Sequence, residues 1–405
     1  DLVGQSVANG NLGVCLSDLG RYDDATTCFE RQLDLARRTG NREGEARATG
    51  YLAFVDVMHG RTELALERFR REAGIAHEIG DQRAVALATG NQGTCLLRLG
   101  QLDEAERCFR FWLEAAEQAG NRAAEARAHG QLGHLCARRD RLPEARAHFE
   151  AWLAIAEETG DRDGVAFACG YLGGVLASEG HLQDAYDHQH RHMAIRRELG
   201  EPRSEGIAAG QLGHTAFQMG HIGEAMAWFQ RMLDLGRGIG ERDLEGRALG
   251  ATAELLAFVG LWEQARDQAE ASRRIADEIG DTLRVARVEG TLATIAYARG
   301  DTAGAREGFE LYLVALDEHG GASSRAWGHT WLGRLDAEAG RVDEARAHYD
   351  AAEAAAQESA SPEYAVLVAC RRALLPGEDA QAAVALWEER RDRIDVPCRL
   401  EVLAL

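Results

Sequence analysis

The chain has 405 residues, a formal charge of −20 and a pI near 5.2, with 45% hydrophobic but only 6% aromatic residues. A surface this acidic disfavours nucleic acid and anionic membranes unless the basic residues gather on one face. No apolar run approaches the length of a bilayer span, and no charged-then-apolar leader opens the sequence. All 46 basic residues are arginine, which fits GC-rich coding or, less simply, avoidance of lysine modification. The eight cysteines have neither metal nor disulfide spacing. Cys15 and Cys95 share one repeat position and Cys28 and Cys108 another, as small core thiols of a reduced, cytoplasmic protein would. Asp1 in place of Met points to a processed chain or an excised piece of a larger one.

In chain order the sequence falls into rows of forty. Nine units are expected, at approximately 2–40, 41–80, 81–120, 121–160, 161–200, 201–240, 241–280, 281–320 and 321–360. Each reads as two helices. The first ends at Gly20, Gly60, Gly100, Gly180, Gly220, Gly260, Gly300 or Gly340, with Asp140 as the one substitute. The second ends at Gly40, Gly80, Gly120, Gly160, Gly200, Gly240, Gly280 or Gly320. Glycine suits a helix end that closes through a left-handed residue. Asn41, Asp81, Asn121, Asp161 and Asp281 follow as caps for the next helix. Within the second helix the column Ala25, Ala65, Ala105, Ala145, Ala185, Ala225, Ala265, Ala305 and Ala345 is unbroken. Four residues on stand Phe29, Phe69, Phe109, Phe149, Phe229, Phe309 and Tyr349, with Gln189 and Ala269 as exceptions. In residues 81–120 the stripe Ala105, Phe109, Leu113 and Ala116 cannot be covered by one helix pair, so each unit needs neighbours like itself. The chain is therefore read as an all-α helical-repeat solenoid. Residues 361–405 form a degenerate cap: Ser361-Pro362 starts a helix that ends at 374–377, residues 379–393 form another, and Val396-Pro397 opens a last short element.

The frame Leu12-Gly13, Gly20, Tyr22, Ala25 and Phe29 resembles the tetratricopeptide repeat signature. It recurs as Leu132-Gly133, Leu142, Ala145, Phe149 and as Leu212-Gly213, Gly220, Ile222, Ala225, Phe229. The period of forty is similar to the longer-helix subclass found in polarity adaptors and bacterial signalling proteins, where the usual repeat has 34 residues. Three copies depart from the pattern, carrying Ala53, Ala253 and Ala293 after the leucine. The resemblance implies a right-handed superhelix whose first helices line a concave groove that binds a protein or peptide. It also implies a non-catalytic scaffold or sensor, with an effector domain possible beyond this chain.

A second glycine column runs inside the first helices: Gly10, Gly50, Gly90, Gly130, Gly170, Gly210, Gly250 and Gly290. Each costs roughly 1 kcal/mol against alanine, so its recurrence implies close packing or a recess. Around it the groove-facing positions would be Arg47, Arg127, Arg247 and Arg287 in one column, and Tyr51, Asn91, Gln131, Tyr171 and Gln211 in another. Phe54, His134 and His214 form a third, joined by Arg98 and Arg138. Arginine forks and amides suit an acidic or carboxylate-bearing segment of a partner. The competing expectation is that the arginines pair with Glu45, Glu125, Glu245 and neighbours along or between helices instead. A rival from another class, an enzyme or small-molecule receptor, would use His134, His214 and Glu254, but general acid–base work needs convergence that separate repeats do not favour. His188 and His192 share a helix face at a spacing that can hold a metal, yet no second ligand pair accompanies them, so no metal and no cofactor is expected.

Overall fold

The computed structural model describes residues 2–316, 321–358, 362–378, 380–390 and 394, and among these there are twenty helices and no strand. Two compact units divide at Ala168 and Cys169. The first contains α1 (Leu2–Asp18), α2 (Tyr22–Arg38), α3 (Arg42–Met58), α4 (Thr62–Glu78), α5 (Gln82–Arg98), α6 (Leu102–Gln118), α7 (Arg122–Arg138) and α8 (Leu142–Thr159). The division falls within α9 (Arg162–Ser178). The second unit continues with α10 (Leu182–Glu198), α11 (Pro202–Gln218), α12 (Ile222–Ile239), α13 (Arg242–Phe258), α14 (Trp262–Ile279) and α15 (Thr282–Ala298). After these come α16 (Thr302–Leu316), α17 (Ala322–Glu338), α18 (Val342–Glu358), α19 (Pro362–Arg372) and α20 (Ala380–Arg390). In each unit successive helices pack on one another, odd-numbered helices being the first of a pair up to α18. The sequence places the ends of α19 and α20 a few residues later. Its Gly320 turn, Ser361 cap, residues 391–393, Val396-Pro397 and Cys398 lie outside the described residues.

Local chemistry sets these boundaries. The fifteen described turn glycines from Gly20 to Gly340 all adopt φ between 61° and 84°. Gly20 N donates to Ser17 O at 2.9 Å and Arg21 N to Leu16 O at 2.8 Å, closing the helix end through a left-handed residue. Asn41, Asp81, Asn121, Asp161 and Asp281 each accept from the backbone N–H three residues on, at 2.9–3.2 Å. Asp301 does the same for Gly304, a cap that the sequence reading omitted.

Asp140 alone among described non-glycine residues holds positive φ, at 57°. Left-handed backbone costs an L-residue roughly 1–2 kcal/mol, somewhat less for aspartate. Asp140→Gly is therefore expected to stabilise the protein by about 1 kcal/mol in urea unfolding followed by circular dichroism. A loss of stability would mean that the Asp140 side chain, not its backbone, matters at this turn.

The core is built from the two second-helix columns. All nine column alanines are fully buried, and the seven aromatic rings are at most 4% exposed. Each ring lies against the small residue of its own repeat: a Cβ placed on Gly93 would come within 2.7 Å of Phe109, and one on Gly333 within 2.7 Å of Tyr349. Gln189, an exception, is also buried, and its Oε1 accepts from Thr215 Oγ1 at 2.8 Å. Of the seven described cysteines, Cys28, Cys95, Cys136 and Cys169 are buried. Cys15 departs from the expected core thiol and is exposed, because no described helix precedes α1 to cover it.

Candidate functional site

The inner glycines are explained by what fills the space they leave. A Cβ on Gly90 would lie 2.5 Å from Trp112, one on Gly170 2.8 Å from His192, one on Gly210 2.8 Å from Met232, and one on Gly10 2.8 Å from Gln32. The glycine column is thus a row of notches. Each receives a second-helix side chain from 22 positions later: Gln32, Glu72, Trp112, Trp152, His192, Met232, Ser272 or Tyr312. Close packing, one of the two readings of that column, is what the structure shows. These notch residues were missed in the sequence because they change in size and polarity from repeat to repeat. Their signal is their fixed offset from a glycine that recurs in eight repeats, Thr330 standing in its place in the ninth.

His192, one of the histidines considered for a metal, is one of these notch residues. It is buried in the Gly170 notch, its Nε2 accepts from Arg196 Nε at 3.4 Å, and burial beside that guanidinium pushes its pKa down to about 4.

In the first unit the predicted residues have distinct environments. Arg47 pairs with Glu43 at 2.5 Å, both well exposed. Tyr51 stacks on Phe29 with ring centroids 4.8 Å apart, while Phe54 is 47% exposed. Asn91 and Gln131 are half-buried. Arg127 places its guanidinium 5.6 Å from the Trp112 ring and has no ion pair among the described residues. Arg98 is exposed and likewise has none. Arg138 is tied down, donating from Nη1 to the Leu97 carbonyl at 2.7 Å. His134 meets Phe149 edge-on at 5.5 Å, and burial lowers its pKa.

In the second unit Tyr171 is 38% exposed and Gln211 half-buried. His214, Arg247, Glu254 and Arg287 form one electrostatic cluster drawn from α11, α13 and α15. His214 meets Phe229 edge-on at 5.1 Å. It is open to solvent yet crowded by protein, so its pKa falls, an effect opposed by Glu254 and reinforced by Arg287 and Arg247. Arg287 donates to Glu254 at 3.0 Å, and that carboxylate holds its pKa up. Arg247 makes no hydrogen bond or ion pair among the described residues. Burial, with Arg284, Arg287 and Arg203 nearby, lowers its pKa despite Asp243. Tyr312 adds a phenol whose pKa burial pushes up to about 12.

The expected pairing of the column arginines is met with neighbours along and between helices, by Arg47 with Glu43 and Arg287 with Glu254, but not with Glu45, Glu125 or Glu245. Residues two apart on a helix face different ways, so these glutamates turn to other cations. Glu45 takes Arg37, Arg42 and Arg71, and Glu245 takes Arg237 and Arg242.

Known proteins place this arrangement. The family described as Tetratricopeptide repeat matches residues 5–76, 84–158 and 326–351. No curated protein matches by sequence. Among solved structures, a Rap protein complexed with Competence and Sporulation Factor aligns with TM-score 0.59 and 15% identity, over 80% of this chain and 88% of that one. The apo form of the quorum sensor NprR from B. thuringiensis aligns with TM-score 0.63 and 11% identity, over 76% and 87%. The Pyrococcus horikoshii protein PH0952, a signal transduction ATPase with a tetratricopeptide repeat sensor, gives TM-score 0.55 and 15% identity over 84% of this chain and 54% of that one. These likenesses show the fold. The family matches over these three segments, with the residue columns and the helix-pair packing, support a tetratricopeptide-repeat protein.

Proposed function

We propose that the first-helix face binds an acidic or carboxylate-bearing segment of a partner protein, and that the chain acts without catalysis as a scaffold or sensor. The observation that carries this reading is that Arg127 and Arg247 make no ion pair among the described residues, in a chain whose net charge is −20. With twenty surplus negative charges available, uncompensated arginines beside aromatic and amide side chains are suited to an external anion. The neighbours add support: one was solved with Competence and Sporulation Factor, one is a quorum sensor, and one carries its repeats as the sensor of a larger signalling protein. A cytoplasmic sensor arm joined to an effector is the version of the reading closest to them. Among the described residues no helix is long and apolar enough to cross a membrane.

The enzymatic rival loses ground on one contact. Glu254, its acid–base partner for His214, is held by Arg287 at 3.0 Å.

The test compares wild type with Arg127→Ala/Arg247→Ala in pull-downs from native lysate, read by mass spectrometry after circular dichroism shows equal helicity. A partner retained by wild type and lost by the variant is the expected result, with binding that weakens as salt rises. Equal retention by both would remove this face from the function.

A further inference from the structure

Three repeats share an ion pair at the turn between units. Arg37 meets Glu45 at 3.1 Å, Arg197 meets Glu205 at 2.8 Å and Arg237 meets Glu245 at 3.0 Å, each across eight residues. The corresponding pair between α6 and α7 is Glu117 and Glu125: a carboxylate stands where the other three turns have the guanidinium. A second cation is missing as well. Arg71 and Arg231 reinforce Glu45 and Glu205 at 3.1 and 2.9 Å, whereas the matching position here is Ala151. In the opposite sense a histidine is gained, since His129 replaces Thr49, Ala209 and Leu249 of those repeats. Arg122 still holds Glu125 at 2.6 Å and also reaches Glu158, but the Glu117 side chain has no partner among the described residues.

One ligand atom from each of Glu117, Glu125 and His129 lies within 4.8 Å of the other two. We infer that this turn is a binding site for a first-row divalent cation of the zinc type, with Glu117, Glu125 and His129 as its protein ligands. Two carboxylates with one imidazole are a borderline donor set that suits zinc, cobalt or nickel better than calcium. Tetrahedral bonds of about 2.0–2.1 Å bring ligand atoms to about 3.4 Å apart, a closure that carboxylate torsions can supply. His148 sets its Nδ1 3.0 Å from Nδ1 of His129 and thereby positions that ring. The same imidazole pair occurs at His329 and His348, at 3.1 Å. There the place of Glu125 is taken by Arg325, so an imidazole pair alone does not complete the set. The cation would supply the positive charge that arginine supplies in the sister repeats.

The experiment is calorimetric titration of the chelator-treated chain with Zn²⁺ at pH 7.5, with Co²⁺ absorption to report ligand type. Wild type should take up one equivalent saturably, and the Co²⁺ spectrum should lack a thiolate charge-transfer band. Glu117→Arg restores the ion pair of the sister repeats, so it should fold with equal or higher melting temperature and lose Zn²⁺ affinity at least ~10-fold. His129→Ala should lose a similar factor, and the His188→Ala/His192→Ala control should lose none. No saturable uptake by wild type overturns the inference. So does affinity unchanged in both Glu117→Arg and His129→Ala, or a thiolate band, which would move the metal to cysteine.

Discussion

Phe109→Ala should cost about 3–5 kcal/mol, the range for emptying a fully buried aromatic site, with its effect largest on the repeats around α6. The ring is 0% exposed and belongs to the core cluster that runs from Ala53 to Leu135. What makes the site informative is its complement, Gly93, on which a Cβ would meet the ring at 2.7 Å. Gly93→Ala alone is expected to destabilise by about 1–3 kcal/mol through overpacking. In the Phe109→Ala background the added methyl enters the space left by the ring, so the double mutant should be more stable than the sum of the single effects. Urea unfolding of the four proteins measures this coupling. Strict additivity would show that ring and glycine do not share one volume. The chain already carries the comparison. Ala253 is matched with Ala269, a methyl gained where a ring is lost. Ala293 keeps its ring, Phe309, but Gly308 stands beside it, where a Cβ would come 2.8 Å from that of Ala293. Ala53 has no such relief, and its ring, Phe69, is the most exposed of the column at 4%.

The fold was readable in the sequence because it is written by residues with one local meaning. Turn glycines need positive φ, cap residues need only the next three N–H groups, and the alanine column needs only a close helix neighbour. Repetition then confirms them, the alanines nine times, the described turn glycines fifteen times and the caps five times. The candidate site was readable only in part, because what an arginine does depends on side chains from other repeats. Arg47, Arg127, Arg247 and Arg287 form one column by spacing, yet their surroundings differ. Arg47 finds Glu43 one turn earlier, whereas Arg127 has Ala123 there and rests near Trp112 instead. Arg247 has Asp243 one turn earlier, but that carboxylate is bonded by Arg284 from the next repeat. Arg287 reaches back 33 residues to Glu254. The departures that carry chemistry, such as Glu117 in place of an arginine, become visible only when structure shows which column faces which.

Glu72 should make stability fall as pH rises, against the direction set by Glu45, Glu205 and Glu245. Its side chain fills the Gly50 notch, its Oε2 has no hydrogen-bond partner, and no cation lies within ion-pair distance of it among the described residues. Burial alone pushes its pKa up to about 7 from the ordinary 4.5. The folded state then holds a proton that the unfolded state has released, so this group's contribution is complete below pH 4.5. It is lost as pH rises through the interval from 4.5 to about 7. A shift of this size corresponds to at most about 3 kcal/mol, and partial solvent access reduces the expected loss to about 2 kcal/mol. Glu45, Glu205 and Glu245 run the other way, since their arginine partners hold their pKa values down and they stabilise the fold above the ordinary carboxylate range. The raw pH profile mixes both signs. The measurement is therefore the difference between wild type and Glu72→Gln, which keeps the shape of the side chain and removes the titration. At pH 4 the two proteins should unfold at the same urea concentration. By pH 8 the variant should be the more stable by about 2 kcal/mol. Parallel profiles across that interval would mean that the Glu72 carboxylate finds water or a cation in solution, and the notch would then be wet.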